Sequence, residues 1–216
     1  MKNQQEIENA DSHGEERQYN WEERYTQPNS APWDSGLPAP ELEEYFASLE
    51  GKYPKLVLEI GCGTGTNAIW MANHGCAVTT TEIAPTAMEA AKKKAAEAKK
   101  QIDFHLIDIC ETTPVEDGTQ DFAFDRGVYH VIERAKRSLF VERVAAALKP
   151  GSFWLSISGC KDEYREDPNV GPPQLSAIEL LTPIESHFAV IKLERTYFIL
   201  DNGIKHLAWK ALYQRR

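Results

Sequence analysis

The chain has 216 residues, enough for one domain with a sizeable core and short for two. Its 24 basic and 33 acidic residues leave a formal charge of −9, without the clustered Lys/Arg that a nucleic-acid backbone demands of its partner. No apolar run reaches the ~18 residues of a membrane span. The four cysteines lack CxxC or Cys–His spacing, so no metal site is expected and a cytoplasmic setting is.

Residues 1–50 hold 12 acids and 3 bases, whereas residues 51–216 hold 21 of each; the whole imbalance is N-terminal. Residues 1–17 are acidic and without apolar period, which excludes a secretory signal and predicts disorder. A single domain is expected over 18–216. It begins with the stretch WEERYTQPNSAPWDSGLPAPEL, which has two Trp, one Tyr and four Pro in 22 residues. So many proline breaks beside aromatic rings predict an arm or lid over residues 18–38 rather than a linker. PELEEYFASLE then reads as a helix with Pro40 in its first turn.

From residue 55 short apolar runs alternate with helical patterns. Strands are predicted at 55–60, 76–83, 102–109, 119–125 and 151–159. Helices are predicted at 67–75, from Pro85 to about Lys100, and at 136–148 before Pro150. The basic run AKKKAAEAKK reads as a solvated helix face. After a Pro/Gly-rich loop at 160–175 come a short helix, SAIELLTPI, and two β-rich runs joined at Asp201-Asn202-Gly203, a good hairpin turn. Strand–helix alternation predicts an α/β fold, a doubly wound, mostly parallel sheet with helices on both faces and a C-terminal antiparallel hairpin. The free edge of that hairpin leaves both a monomer and a homodimer open.

LEIGCGTGTN places Gly61, Gly63 and Gly65 between the first strand and its helix, where glycine lets backbone approach a ligand closely. A dinucleotide fingerprint would need its third glycine at position 66, which is Thr66. Glu59 just before the loop would also repel a pyrophosphate. A nicotinamide oxidoreductase is therefore the weaker alternative. Glu82 ends the second strand, where an acid suits a ribose diol, and Asp108 ends the third in the same way.

These features as a set (LEIGCGTG, Glu82, Asp108, the VAAALKPGS turn and the terminal hairpin) resemble the class I S-adenosylmethionine-dependent methyltransferases over about residues 40–216. The resemblance implies a seven-stranded Rossmann-like sheet and S-adenosylmethionine as cofactor. It implies Gly61, Cys62 and Gly63 along the amino-acid part of the cofactor, Glu82 at the ribose, Ile83 at the adenine, and Asp108 with Ile109 at the adenine edge. The arm, the DRGVYH stretch (125–130) and the GPP loop (171–173) further resemble the thiopurine, thiol and halide methyltransferases, although Tyr25 stands where the thiopurine branch usually carries Trp.

Trp21, Tyr25 and Trp33 would offer ring faces to a sulfonium cation, each desolvated contact being worth about 0.5–2 kcal/mol, and would exclude water from the reaction. The expected acceptor is a small molecule: a thiol, halide or metalloid anion. Arg126 is the candidate cation to favour a thiolate. A hydroxyl or amine acceptor would instead need a base, for which His130 and Asp34 are the candidates. Asp125 reads as a site-wall carboxylate or as the partner of Arg126.

Overall fold

In the computed structural model, residues 19–27, 31–167 and 169–216 are described; the expected disorder of residues 1–17 lies outside them. Seven strands form one sheet: β1 (Leu56–Ile60), β2 (Ala77–Glu82), β3 (Asp103–Leu106), β4 (Gln120–Arg126), β5 (Leu148–Gly159), β6 (Phe188–Ile199) and β7 (Lys205–Arg215). Their order is β3-β2-β1-β4-β5-β7-β6. The first five are parallel, and β7 pairs antiparallel with both β5 and β6. Six α-helices accompany them: α1 (Trp21–Thr26), α2 (Pro40–Ser48), α3 (Thr66–Asn73), α4 (Pro85–Glu97), α5 (Arg137–Ala147) and α6 (Ala177–Leu181).

The central strands are apolar along their length because helices cover both faces. Along β4, side chains alternate between two cores. Phe122 and Phe124 join Leu42 and Phe46 of α2 and Met71 of α3 on one face. Ala123 joins Phe140, Val141 and Val144 of α5 and Trp154 of β5 on the other. Each buried Phe contributes about 1.5–3 kcal/mol of transfer free energy.

Three expected boundaries move, each for a local reason. β5 starts at Leu148, not 151: Gln120 pairs with Leu148 and Phe122 with Phe153, so residues 149–152 bulge out, with Gly151 at φ +82°. β3 is four residues long because Asp108 accepts the Cys110 N–H at 2.8 Å and turns the chain. α4 stops at Glu97, and Lys99 beyond it takes φ +55°. The capping box of Ser176 and Glu179 starts α6. The parallel strands all end on one rim. Gly159 of β5 pairs with Ala208, so the β6–β7 turn rises at that same rim.

Candidate active site

The loop after β1 is built from left-handed glycines. Gly61 has φ +66°, and a Cβ there would lie 2.4 Å from Val128 Cγ2. Gly63 has φ +54°, and its Cβ would stand 2.8 Å from the Tyr25 hydroxyl. Neither position can carry a side chain without displacing a neighbour. Cys62, between them, is buried, and burial pushes its thiol well above the usual range.

Two carboxylates stand under this loop. Glu82 accepts three backbone N–H groups, from Gly63 at 2.8 Å, Ile83 at 2.7 Å and Ala84 at 2.9 Å. That grip fixes the carboxylate at the rim with about one of its four acceptor sites open. Glu59 is buried, and its Oε2 has no hydrogen-bond partner among the described residues. Burial pushes its carboxyl up to about 8, partly offset by the Asn67 amide and raised further by Glu82. At neutral pH Glu59 is then mostly protonated. A carboxyl raised so far repels a pyrophosphate less than an ordinary carboxylate would, so the glycine spacing carries more of that distinction.

Ile83 is half exposed at the rim, as an apolar platform would be, whereas Ile109 is packed into the α5-side core. Asp108 is committed to the Cys110 N–H.

The arm is docked over the loop. Trp21 packs edge-on to Trp33 at 6.0 Å, and Tyr25 edge-on to Trp33 at 6.3 Å. Trp33 Nε1 donates to the Tyr25 hydroxyl at 3.3 Å. Thr64 in the glycine loop donates to both Asp34 oxygens at 2.8 Å, and Lys94 lies 3.9 Å from Asp34. Lys94 belongs to the run read as a solvated face, and here it reaches the loop. α4 has Ala84 at its N-cap position, which offers no side-chain acceptor. Glu22 of α1 fills that role: Thr86 N–H donates at 2.9 Å and the Thr86 hydroxyl donates as well.

The end of β4 divides by the strand's period of two. Asp125 turns to the α5 side and is fully buried. It accepts from Trp154 Nε1 at 3.0 Å, Tyr129 N–H at 3.0 Å and Val128 N–H at 3.3 Å. Burial pushes its carboxyl up to about 6, with those donors opposing. Neither expectation for Asp125 matches this placement: it lines no open wall and does not pair with Arg126.

Arg126 turns to the α2 side. Its guanidinium lies 4.9 Å over the Phe198 ring and its Nε 3.6 Å from Glu41 Oε2. Burial lowers the affinity of Arg126 for its proton, and Glu41 restores part of it. His130 Nδ1 accepts the Gly159 N–H at 2.6 Å. Its lone pair is therefore at Nδ1 and its proton at Nε2, so in this tautomer Nε2 is a donor. Asp34 is engaged by Thr64 and Lys94 rather than by Arg126. Glu41, Thr196 and Phe198 were missed by sequence reading. Glu41 carried no more signal than any acid in a helix's first turn.

Residues 57–151 match the family described as "Methyltransferase domain". A 2-heptyl-1-hydroxyquinolin-4(1H)-one methyltransferase of Mycobacteroides abscessus is 28% identical over 160 residues, 74% of this chain and 69% of that protein. A probable thiol methyltransferase 2 of Arabidopsis thaliana is 30% identical over 156 residues, 71% of this chain and 65% of its own length. The fold is shared with the magnesium protoporphyrin IX methyltransferase of Synechocystis PCC 6803, solved with S-adenosylmethionine bound, at TM-score 0.65 and 18% identity over 91% of this chain and 89% of that one. The fold is Rossmann-like, as in these methyltransferases, and residues 57–151 carry the match to the methyltransferase domain. More particularly, the fold and the relatives together support S-adenosylmethionine-dependent methyl transfer to a small molecule. The site's polar groups fit that cofactor: the buried Glu59 Oε2, without a hydrogen-bond partner among the described residues, would take an ammonium donor, and the remaining acceptor site of Glu82 a hydroxyl.

Proposed function

We propose that the chain methylates a small acceptor held at the end of β4, a thiol first among the candidates. When bound, S-adenosylmethionine supplies an electrophilic methyl carbon on a sulfonium. Glu59 and the backbone of Gly61 to Gly63 would hold its amino-acid end, Glu82 its ribose, and Ile83 its adenine. Trp21, Tyr25 and Trp33 would close over it and keep water out. Such a displacement asks mainly for positioning of the acceptor about 3–3.5 Å from the carbon.

The observation that carries this reading is the buried guanidinium of Arg126 over Phe198 at that rim. It is a cation able to hold the ionisable group of a small acceptor, next to the loop that holds the cofactor. The likeness to a thiol methyltransferase supports sulfur as the acceptor atom. A second reading, transfer to an acidic hydroxyl of a heteroaromatic ring, is favoured by the relative acting on a hydroxyquinolone. Incubation with methyl-labelled S-adenosylmethionine and a panel of thiols, hydroxy-heteroaromatics, halides and amines tests both. Label in thiols is expected; label only in halides or amines overturns the proposal.

A further inference from the structure

Arg126 does not stand at the rim as a free cation. Glu41, in the first turn of α2, is 3% exposed and reaches the same spot. Its Oε1 accepts from the Thr196 hydroxyl at 2.7 Å. Among the described residues its Oε2 has no hydrogen-bond partner, and neither has Arg126 Nε, with which it forms an ion pair at 3.6 Å. An acceptor and a donor, both buried and paired only across a gap too long for a good hydrogen bond, therefore face each other at the rim. Leaving both unmade is costly, and such pairs call for a missing partner. One atom closes the gap if it accepts from Nε–H at about 2.9 Å and donates to the carboxylate at about 2.7 Å. Only an atom that carries both a lone pair and a proton can do so.

We propose that Glu41 and Arg126 together recognise the acceptor, and that the atom to be methylated must bear a proton, which Glu41 receives. This rests on the methyl transfer proposed above and narrows its substrate class to hydroxyl and thiol compounds, against bare halide or metalloid anions. A lone anion would meet Glu41 as closely as Arg126, so the cation's attraction is cancelled. In the transfer, the acceptor's lone pair forms the bond to the methyl carbon. The carbon–sulfur bond breaks with its electron pair left on sulfur, and the acceptor's proton passes to Glu41 Oε2. The resulting carboxylic acid afterwards loses that proton to solvent.

Glu41→Gln tests this. Benzyl mercaptan and phenol serve as protonated probes, iodide as the bare anion, and calorimetry reports cofactor affinity. The variant is expected to bind S-adenosylmethionine as the wild type does. It should lose roughly 10²–10⁴-fold in kcat on the protonated probes, as loss of a general base does. With Arg126 no longer neutralised, it should bind iodide at least ~tenfold more tightly, a readout that needs no turnover. Unchanged iodide affinity together with unchanged turnover would make Glu41 structural and overturn the proposal. A wild type that methylates no probe sinks the earlier reading alone, and the iodide titration still decides the role of Glu41. If Glu41→Gln does not fold, the doubly neutral Glu41→Gln/Arg126→Gln removes the stranded charge. It should lose turnover and gain no iodide affinity; wild-type turnover in it refutes the pair's role.

Discussion

Replacing Gly61 with Ala separates backbone strain from collision. At φ +66° any L side chain costs about 1–2 kcal/mol. The new Cβ would also lie 2.4 Å from Val128 Cγ2, well inside contact distance, and overpacking of that kind costs about 1–3 kcal/mol. The two sum to about 2–5 kcal/mol, or a fall in Tm of about 4–20 °C for a chain of this length. Gly118→Ala is the matched control, because Gly118 has φ +65° and its added Cβ meets nothing within 4 Å. It should lose only the strain component, about 2–8 °C. Adding Val128→Ala to Gly61→Ala should return the collision component, a coupling of about 1–3 kcal/mol in a double-mutant cycle. Thermal unfolding without cofactor measures the wild type, Gly61→Ala, Gly118→Ala, Val128→Ala and the Gly61→Ala/Val128→Ala double variant. Equal losses for Gly61→Ala and Gly118→Ala, with no coupling to Val128, would refute the packing argument.

Glu59 has a folded value near 8 against an ordinary 4.5, so its contribution to stability is full below about 4.5 and is lost as pH rises through 8. Glu59→Gln should flatten that part of the Tm–pH curve, and wild-type cofactor binding near pH 7 should release a proton that the variant does not, read by calorimetry in buffers of different ionisation enthalpy. Asp125→Asn turns an amide N–H₂ against the Trp154 or Val128 and Tyr129 donors, and should cost about 1–3 kcal/mol in denaturant unfolding. Glu22→Gln weakens the tie from α1 to Thr86; stopped-flow tryptophan fluorescence should show cofactor leaving several-fold faster, and an unchanged off-rate would separate the arm from cofactor retention.

The fold was largely legible because each central strand writes its burial as a continuous apolar run and each helix marks its ends with Pro, Ser or Gly. The glycine loop was legible for the same reason: few sequences need three glycines in five residues unless the backbone bends left-handed. The site was legible only strand by strand. The opposite facing of Asp125 and Arg126 was available from the period of a strand, yet adjacency in sequence suggested a pair. The meeting of Glu41, Arg126 and Thr196 was not available, since residues 155 apart meet only through the strand order that places β6 beyond β7. Lys94 misled for a simpler reason: its long side chain crosses from α4 to Thr64, which composition does not reveal.

Asp201 N–H donates to the Pro32 carbonyl at 3.0 Å, and Glu41 holds Thr196. Both contacts join segments more than 150 residues apart in sequence. The arm gains its tie to Asp201, and α2 its tie to Thr196, only once the β6–β7 hairpin is in place. A nascent chain stalled before residue 196 would carry the glycine loop and the rim of β4 with Glu41 and Arg126 still lacking Thr196 and Phe198. Such a product would be marked by an arm and an α2 without their hairpin ties, a segment open to proteases.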